Sequence, residues 1–138
     1  METSRFHSVE PRLDAIGITT ADMAASCRFY ALLGVPVGEP TKGEDHFEAT
    51  LPSGIRLMWD SVELMKQLDP DWQPPVGQRL SLAFHCGSPS GVDETHAAIV
   101  AEGFTSKSDP WDAFWGQRYA SLVDPDGSDV HLFAPLDG

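Results

Sequence analysis

Leu13-Asp-Ala-Ile-Gly-Ile-Thr-Thr-Ala-Asp-Met-Ala-Ala-Ser-Cys-Arg-Phe-Tyr-Ala-Leu-Leu-Gly34 changes its hydrophobic period midway, and that change decides the fold. Up to Thr20 the residues alternate: Leu13, Ala15 and Gly17 point one way, Ile16 and Ile18 the other, as in a strand. From Met23 the period lengthens. Met23, Cys27 and Tyr30, with Ala25, Phe29 and Leu32 beside them, form one broad helical face. Thr19-x-x-Asp22 reads as a capping box with Asp in the usual Glu position, and Gly34 supplies the stop. Strands are then expected over Val35–Gly38, Glu44–Leu51 and Ile55–Asp60, with Pro52-Ser53-Gly54 as the turn between the last two.

About 70 residues later the plan recurs, which is the mark of a duplicated unit. Arg79–Cys86 reads as a strand, and Ser90-x-x-Asp93 as a second capping box. Val92, His96, Ile99 and Val100 form a helical stripe that Gly103 ends. Phe104–Lys107, Gln117–Val123 and Asp129–Phe133 are strand candidates, the last two joined by a tight turn at Asp124-Pro-Asp-Gly127. Ser61–Gly77 reads as a linker holding a short helix capped by Ser61, and Ser108–Gly116 as a loop carrying Trp111, Phe114 and Trp115. Each β-α-β-β-β unit is too small to bury a core alone. The expected organisation is a frayed tail at 1–11 and one domain at 12–138, with module one near 12–60, a linker at 61–77 and module two near 78–136.

Composition narrows the function. Of 138 residues, 41% are hydrophobic, and a chain of this size buries roughly 68–70% of its unfolded surface, so folding needs no staple. Nine Lys and Arg against 21 Asp and Glu give a net charge of −12. That balance argues against nucleic acid and anionic membrane surfaces as partners. No apolar run reaches the roughly 20 residues a membrane span needs, and Met1–Arg12 has no apolar signal-like core. Cys27 and Cys86 have neither metal nor redox spacing and read as buried thiols in a reducing compartment, so a cytoplasmic location is expected.

Taken together, these segments resemble the vicinal oxygen chelate superfamily, which includes glyoxalases, extradiol dioxygenases and bleomycin-resistance proteins. The carrying residues are Leu13-Asp-Ala-Ile-Gly-Ile18, then Asp22, Met23, Ser26, Phe29, Tyr30, Leu33 and Gly34, then Leu82-Ala-Phe84, and Asp124-Pro-Asp-Gly127 followed by Val130-His-Leu-Phe133. The resemblance spans Arg12 to Pro135. It implies an α+β fold of paired βαβββ modules that curl a mixed sheet around a cleft, and a homodimer. Within the superfamily the chain is most similar to mitomycin-binding resistance proteins. That likeness rests on His46-x-Glu-Ala-x-Leu51, Gly54-Ile-Arg-Leu57, Trp59-Asp60, Asp69-Pro-x-Trp-Gln73 and Pro110-Trp-x-Ala-x-Trp-Gly-Gln-Arg-Tyr-Ala120.

Catalytic members hold a divalent metal with His or Glu from an inward position on each of four strands. The corresponding residues here are Ala15, Arg56, Ser81 and His131. Ala15 has no donor, Arg56 repels a cation, Ser81 is a poor ligand, and one histidine does not make a site. No metal and no cofactor are therefore expected, and no catalytic residue is assigned. A displaced set of His46, Glu48, His85 and His131 is the alternative.

The remaining cleft, edged by tryptophans, suits a planar hydrophobic compound held by aromatic stacking. Expected ligand-binding residues are His46, Trp115, Trp111, Arg56, Ser81 and His131. Trp59 is out of phase with Arg56 and belongs to the core, as does His96 on its apolar stripe. Arg56 is expected in an internal ion pair with Glu48 or Asp60. Gln117 and Arg118 alternate, so only one of them faces the cleft. The expected function is sequestration of a small molecule, and the resistance likeness implies an antibiotic. The rivals are a lyase, isomerase or dioxygenase of the same fold and an accessory binder of a natural-product intermediate.

Overall fold

A computed structural model of the chain describes residues 11–38 and 43–137. The tail expected at 1–11 therefore lies almost wholly outside the described residues. Seven strands and three helices follow in the order β1 (Ala15–Thr20), α1 (Met23–Ala31), β2 (His46–Thr50), β3 (Arg56–Ser61), α2 (Val62–Leu68), β4 (Leu82–His85), α3 (Pro89–Ala101), β5 (Thr105–Ala113), β6 (Gln117–Val123) and β7 (Asp129–Pro135). They form two mixed sheets, β1-β3-β2 and β4-β7-β6-β5. In each, the strand before the helix pairs parallel with the last strand of its unit, and the remaining pairs are antiparallel. The duplicated α+β plan is thus realised, with its turns: Gly54 N–H donates to Leu51 O and Gly127 N–H to Asp124 O, both glycines at positive φ.

Four local expectations are corrected. Val35–Gly38 forms no strand, because Pro36 has no N–H to donate and Val37 N–H closes a tight turn on Val35 O at 2.7 Å. The cap of α1 is Asp22, whose carboxylate accepts from Ala25 N–H, and not Thr19. The cap of α3 is Ser88, with Pro89 pre-set for the first turn, and not Ser90. Ser108–Gly116 is no loop: β5 runs on to Ala113, leaving only a turn before β6. The short helix capped by Ser61 is present.

Both sheets and the long helices share one core. Phe29 and Tyr30 on α1 meet Trp59, Leu57 and Ala49 from the first sheet, and Leu122, Val130 and Leu132 from the second join the same cluster. Edge-to-face contacts link Phe29 to Tyr30 and Phe104, at 5.0 and 5.1 Å. Tyr30 Oη donates to the buried Asp124 carboxylate at 2.7 Å, tying α1 of the first unit to the β6–β7 turn of the second. Gly91 is fixed by contact, since a Cβ there would stand 2.1 Å from Cys86 O. Trp59 and His96 are buried as expected. No helix among the described residues is long and apolar enough to cross a membrane.

Candidate functional site

Period-two alternation gives each sheet a core face and an open face. On the first sheet, Leu57, Trp59 and Ser61 are buried, so Arg56, Met58 and Asp60 lie on the open face. Their ladder partners add Ala15, Gly17, His46 and Glu48. On the second sheet, Ala120, Leu122, Val130, Leu132 and Ala134 are buried, which leaves Gln117, Tyr119, His131 and Phe133 on the open side.

The open face of the second sheet is a cavity wall. Ser81, Ala83, Gln117, Tyr119, His131 and Phe133 line an open cavity of about 410 Å³. Trp115, on the β5–β6 turn, makes edge-to-face contacts with Tyr119 at 5.2 Å, Trp111 at 5.5 Å and Phe114 at 5.0 Å. Its indole N–H donates to Gln117 Oε1 at 2.8 Å, which leaves the Gln117 amide nitrogen uncommitted by that bond. Tyr119 Oη hydrogen-bonds His131 Nδ1. Burial, and then Asp129, push the Tyr119 phenol up, so it stays protonated and has a proton to donate. Trp111 and Trp115 remain 40% and 47% exposed, a large aromatic surface beside a polar-rimmed cavity.

The open face of the first sheet carries an ionic network. His46 Nδ1 meets Asp60 at 2.5 Å and Nε2 meets Glu48 at 2.7 Å. Arg56 donates to Glu48 and to Asp14, each at 2.7 Å. The Asp60 and then the Glu48 hydrogen bonds raise the His46 pKa, while His46 and then Arg56 lower that of Glu48. The expected ion pair of Arg56 is thus made with Glu48. Asp60 is taken by His46, and Asp14 is the partner that sequence reasoning missed.

Of the six expected ligand residues, Ser81 and His131 line the cavity, Trp115 and Trp111 stand beside it through Tyr119, and His46 and Arg56 lie on the other sheet. Among the described residues, no hydrogen bond, ion pair, aromatic contact or cavity wall joins the two groups. Gln117 is the member of its pair that faces the cavity. Arg118 turns to the helix side and binds Asp93 and Asp112. Tyr119 and Phe133 were missed as site residues, although the strand phase of Gln117 and His131 leads to both.

The residues do not fit a divalent metal. Arg56 stands opposite Ala15 and is fixed by two carboxylates, and His131 Nδ1 is engaged by Tyr119. The displaced set does not converge either. The two nitrogens of His46 serve carboxylates on opposite sides of its ring, and His85 packs edge-on against Phe133. No group of three His, Cys, Asp or Glu among the described residues is placed to hold an ion.

A family model for the Glyoxalase/Bleomycin resistance protein/Dioxygenase superfamily matches residues 12–132. A glyoxalase/bleomycin resistance protein/dioxygenase from Nocardioides superposes with a TM-score of 0.72 at 24% identity, over 99% of this chain and 94% of that one. A family enzyme from Burkholderia phytofirmans gives 0.73 at 20% identity, over 91% and 100%. A glyoxalase-related enzyme from Fulvimarina pelagi gives 0.76 at 18% identity, over 89% and 87%. No curated protein matches the chain. With the match covering most of its length and the paired-module architecture in place, the chain belongs to the glyoxalase/bleomycin resistance protein/dioxygenase superfamily.

Proposed function

We propose that this protein binds a planar, largely apolar small molecule without transforming it, and that two copies of the chain complete the binding cleft. The observation that carries the reading is Trp115. It packs edge-on against Trp111, Phe114 and Tyr119 at the rim of a cavity whose polar groups are Ser81, Gln117 and His131. Aromatic walls with a few fixed polar groups suit a flat conjugated ligand, each stacked pair adding about 0.5–1.5 kcal/mol beyond area burial. The residues at the metal positions of catalytic relatives offer no donor set, which favours binding over the lyase, isomerase or dioxygenase chemistry of the fold.

Two of the six expected ligand residues, His46 and Arg56, lie on the first sheet, and the other four belong to the second. A homodimer that places the open first sheet of one copy over the open second sheet of the other would bring His46 and Arg56 to the aromatic wall. The unpaired outer edges of β1 and β4 and the exposed Leu80 and Phe114 are surfaces such a partner would cover. The mitomycin-binding likeness of His46-x-Glu48 and Trp111-x-Ala-x-Trp115 supports sequestration of a drug-like compound in the cytoplasm as the biological role. The test is titration with 1-aminoanthracene, a neutral planar fluorophore, followed by NMR. Binding should shift the Tyr119 and His131 resonances together, and shifts confined to other residues would refute the site.

A further inference from the structure

Strand β5 pairs with β6 out of step. Ser106 stands opposite Leu122 and Trp111 opposite Tyr119, so five steps along β5 match three along β6. The two extra residues lie in irregularities on either side of Ser108. Continued without them, the ladder would put Asp109 opposite Tyr119. The double bulge is therefore what brings an indole, and not a carboxylate, to the aromatic wall.

Something must hold the bulge, because its residues forgo regular ladder bonds and Pro110 has no N–H. The side chain that reaches it comes from α3. His96 is 8% exposed, and its Nε2 lies 2.7 Å from Ser106 Oγ. Ser106 Oγ donates to Asp109 Oδ1 at 2.7 Å. A hydroxyl has one proton, and here it goes to Asp109, so His96 Nε2–H is the donor to Ser106. This direction excludes an activated serine, since the imidazole gives a proton to the oxygen and does not accept one. The chain His96–Ser106–Asp109 instead ties the exposed Asp109 carboxylate to α3 across the bulge, with His96 Nε2 also 3.7 Å from Asp109 Oδ1, and the ladder resumes at Trp111.

We propose that His96 is a positioning residue: acting through Ser106 and Asp109, it fixes the displaced register of β5 that sets Trp111 opposite Tyr119. The consequence for ligand affinity rests on the binding function proposed above, but the register effect does not. Ser106→Ala cuts both bonds with little loss of packing. His96→Leu removes the donor and keeps an apolar filler, while His96→Gln offers an amide N–H in its place. The full chain labelled with 5-fluorotryptophan reports on the strand directly, the Trp111 signal being identified with Trp111→Phe and buried Trp59 serving as reference.

In Ser106→Ala and His96→Leu the Trp111 fluorine resonance should shift or broaden while that of Trp59 stays, and amide exchange over residues 107–111 should quicken. Affinity for 1-aminoanthracene should weaken roughly 5- to 10-fold, a coupling of the size carried by residues outside a site. His96→Gln should restore the Trp111 signal and most of the affinity. An unchanged Trp111 signal and unchanged exchange in Ser106→Ala would overturn the proposal, whether or not His96→Leu folds. A wild-type protein that binds no 1-aminoanthracene, together with a Trp111 signal that moves in Ser106→Ala, would overturn the binding function and support the positioning role.

Discussion

Arg56 stands opposite Ala15 across the parallel β1–β3 ladder, with its guanidinium held by Asp14 and Glu48. At two of the four positions that the superfamily resemblance assigns to metal donors, this chain has a methyl group and a fixed positive charge. Two carboxylates near that site are consumed in neutralising the arginine, and neither is free to take a cation.

Metal content follows from this. Protein purified without added ions should hold well below one equivalent of zinc, nickel, manganese or iron per chain, and a chelator should leave its melting curve unchanged. One tightly held ion per chain, lost in His131→Ala, would contradict the arrangement.

Assembly is the second expectation. Sedimentation should give twice the mass of the chain at micromolar concentration, with Phe114 and Leu80 losing exposure on association. A stable monomer that binds 1-aminoanthracene as well as any dimer would remove the shared cleft.

The His46 network should be visible in pH dependence. Its folded pKa is raised, chiefly by the Asp60 hydrogen bond and then by Glu48. A raised pKa means the protonated form is favoured on folding. The stabilisation is then complete below the unfolded value of about 6.5 and fades as pH climbs through the higher folded value. Urea melts of wild type and His46→Gln should therefore differ more at pH 5.5 than at pH 9. A difference that grows with pH would contradict the hydrogen-bonded pairing.

Tyr30 and Asp124 join the two units through a buried charge-assisted bond. Asp124 also accepts from the backbone N–H groups of Asp126 and Ser128, so its carboxylate organises the β6–β7 turn. Tyr30→Phe should cost about 1.5–3 kcal/mol, the range for a hydrogen bond to a charged group, with unfolding still a single transition. A change below about 0.5 kcal/mol would show that the bond is replaced by water or by rearrangement.

Much of this was legible in the sequence, for reasons particular residues make plain. Period-two alternation put Trp59 in the core and Arg56 and His131 on open faces, and β3 and β7 are regular enough for that phase to hold. In β5 the phase breaks. Its two extra residues and Pro110 give the segment the look of a loop, so Trp111 reads as a loop residue when it lies on a strand. Val35 and Val37 promised a strand that Pro36 prevents. The division of the ligand set between two modules was legible from their bounds, but the distance between the two groups was not, because strand phase fixes the face of a sheet and not how two sheets stand to each other. Asp14 was missed for a related reason: its bond to Arg56 crosses 42 residues of chain.

The central claim, a flat ligand held against Trp115, is tested most directly by calorimetric titration of 1-aminoanthracene into wild type, Trp115→Phe and Trp115→Ala, with thermal melts of the same samples. Trp115→Ala should lose about 2–4 kcal/mol of binding, the range for truncating an anchor in a desolvated pocket, and Trp115→Phe should keep most of the affinity because an aromatic face remains. Unchanged affinity in Trp115→Ala, with only its melting temperature lowered, would make Trp115 an anchor of the β5–β6 turn and contradict the stacking site.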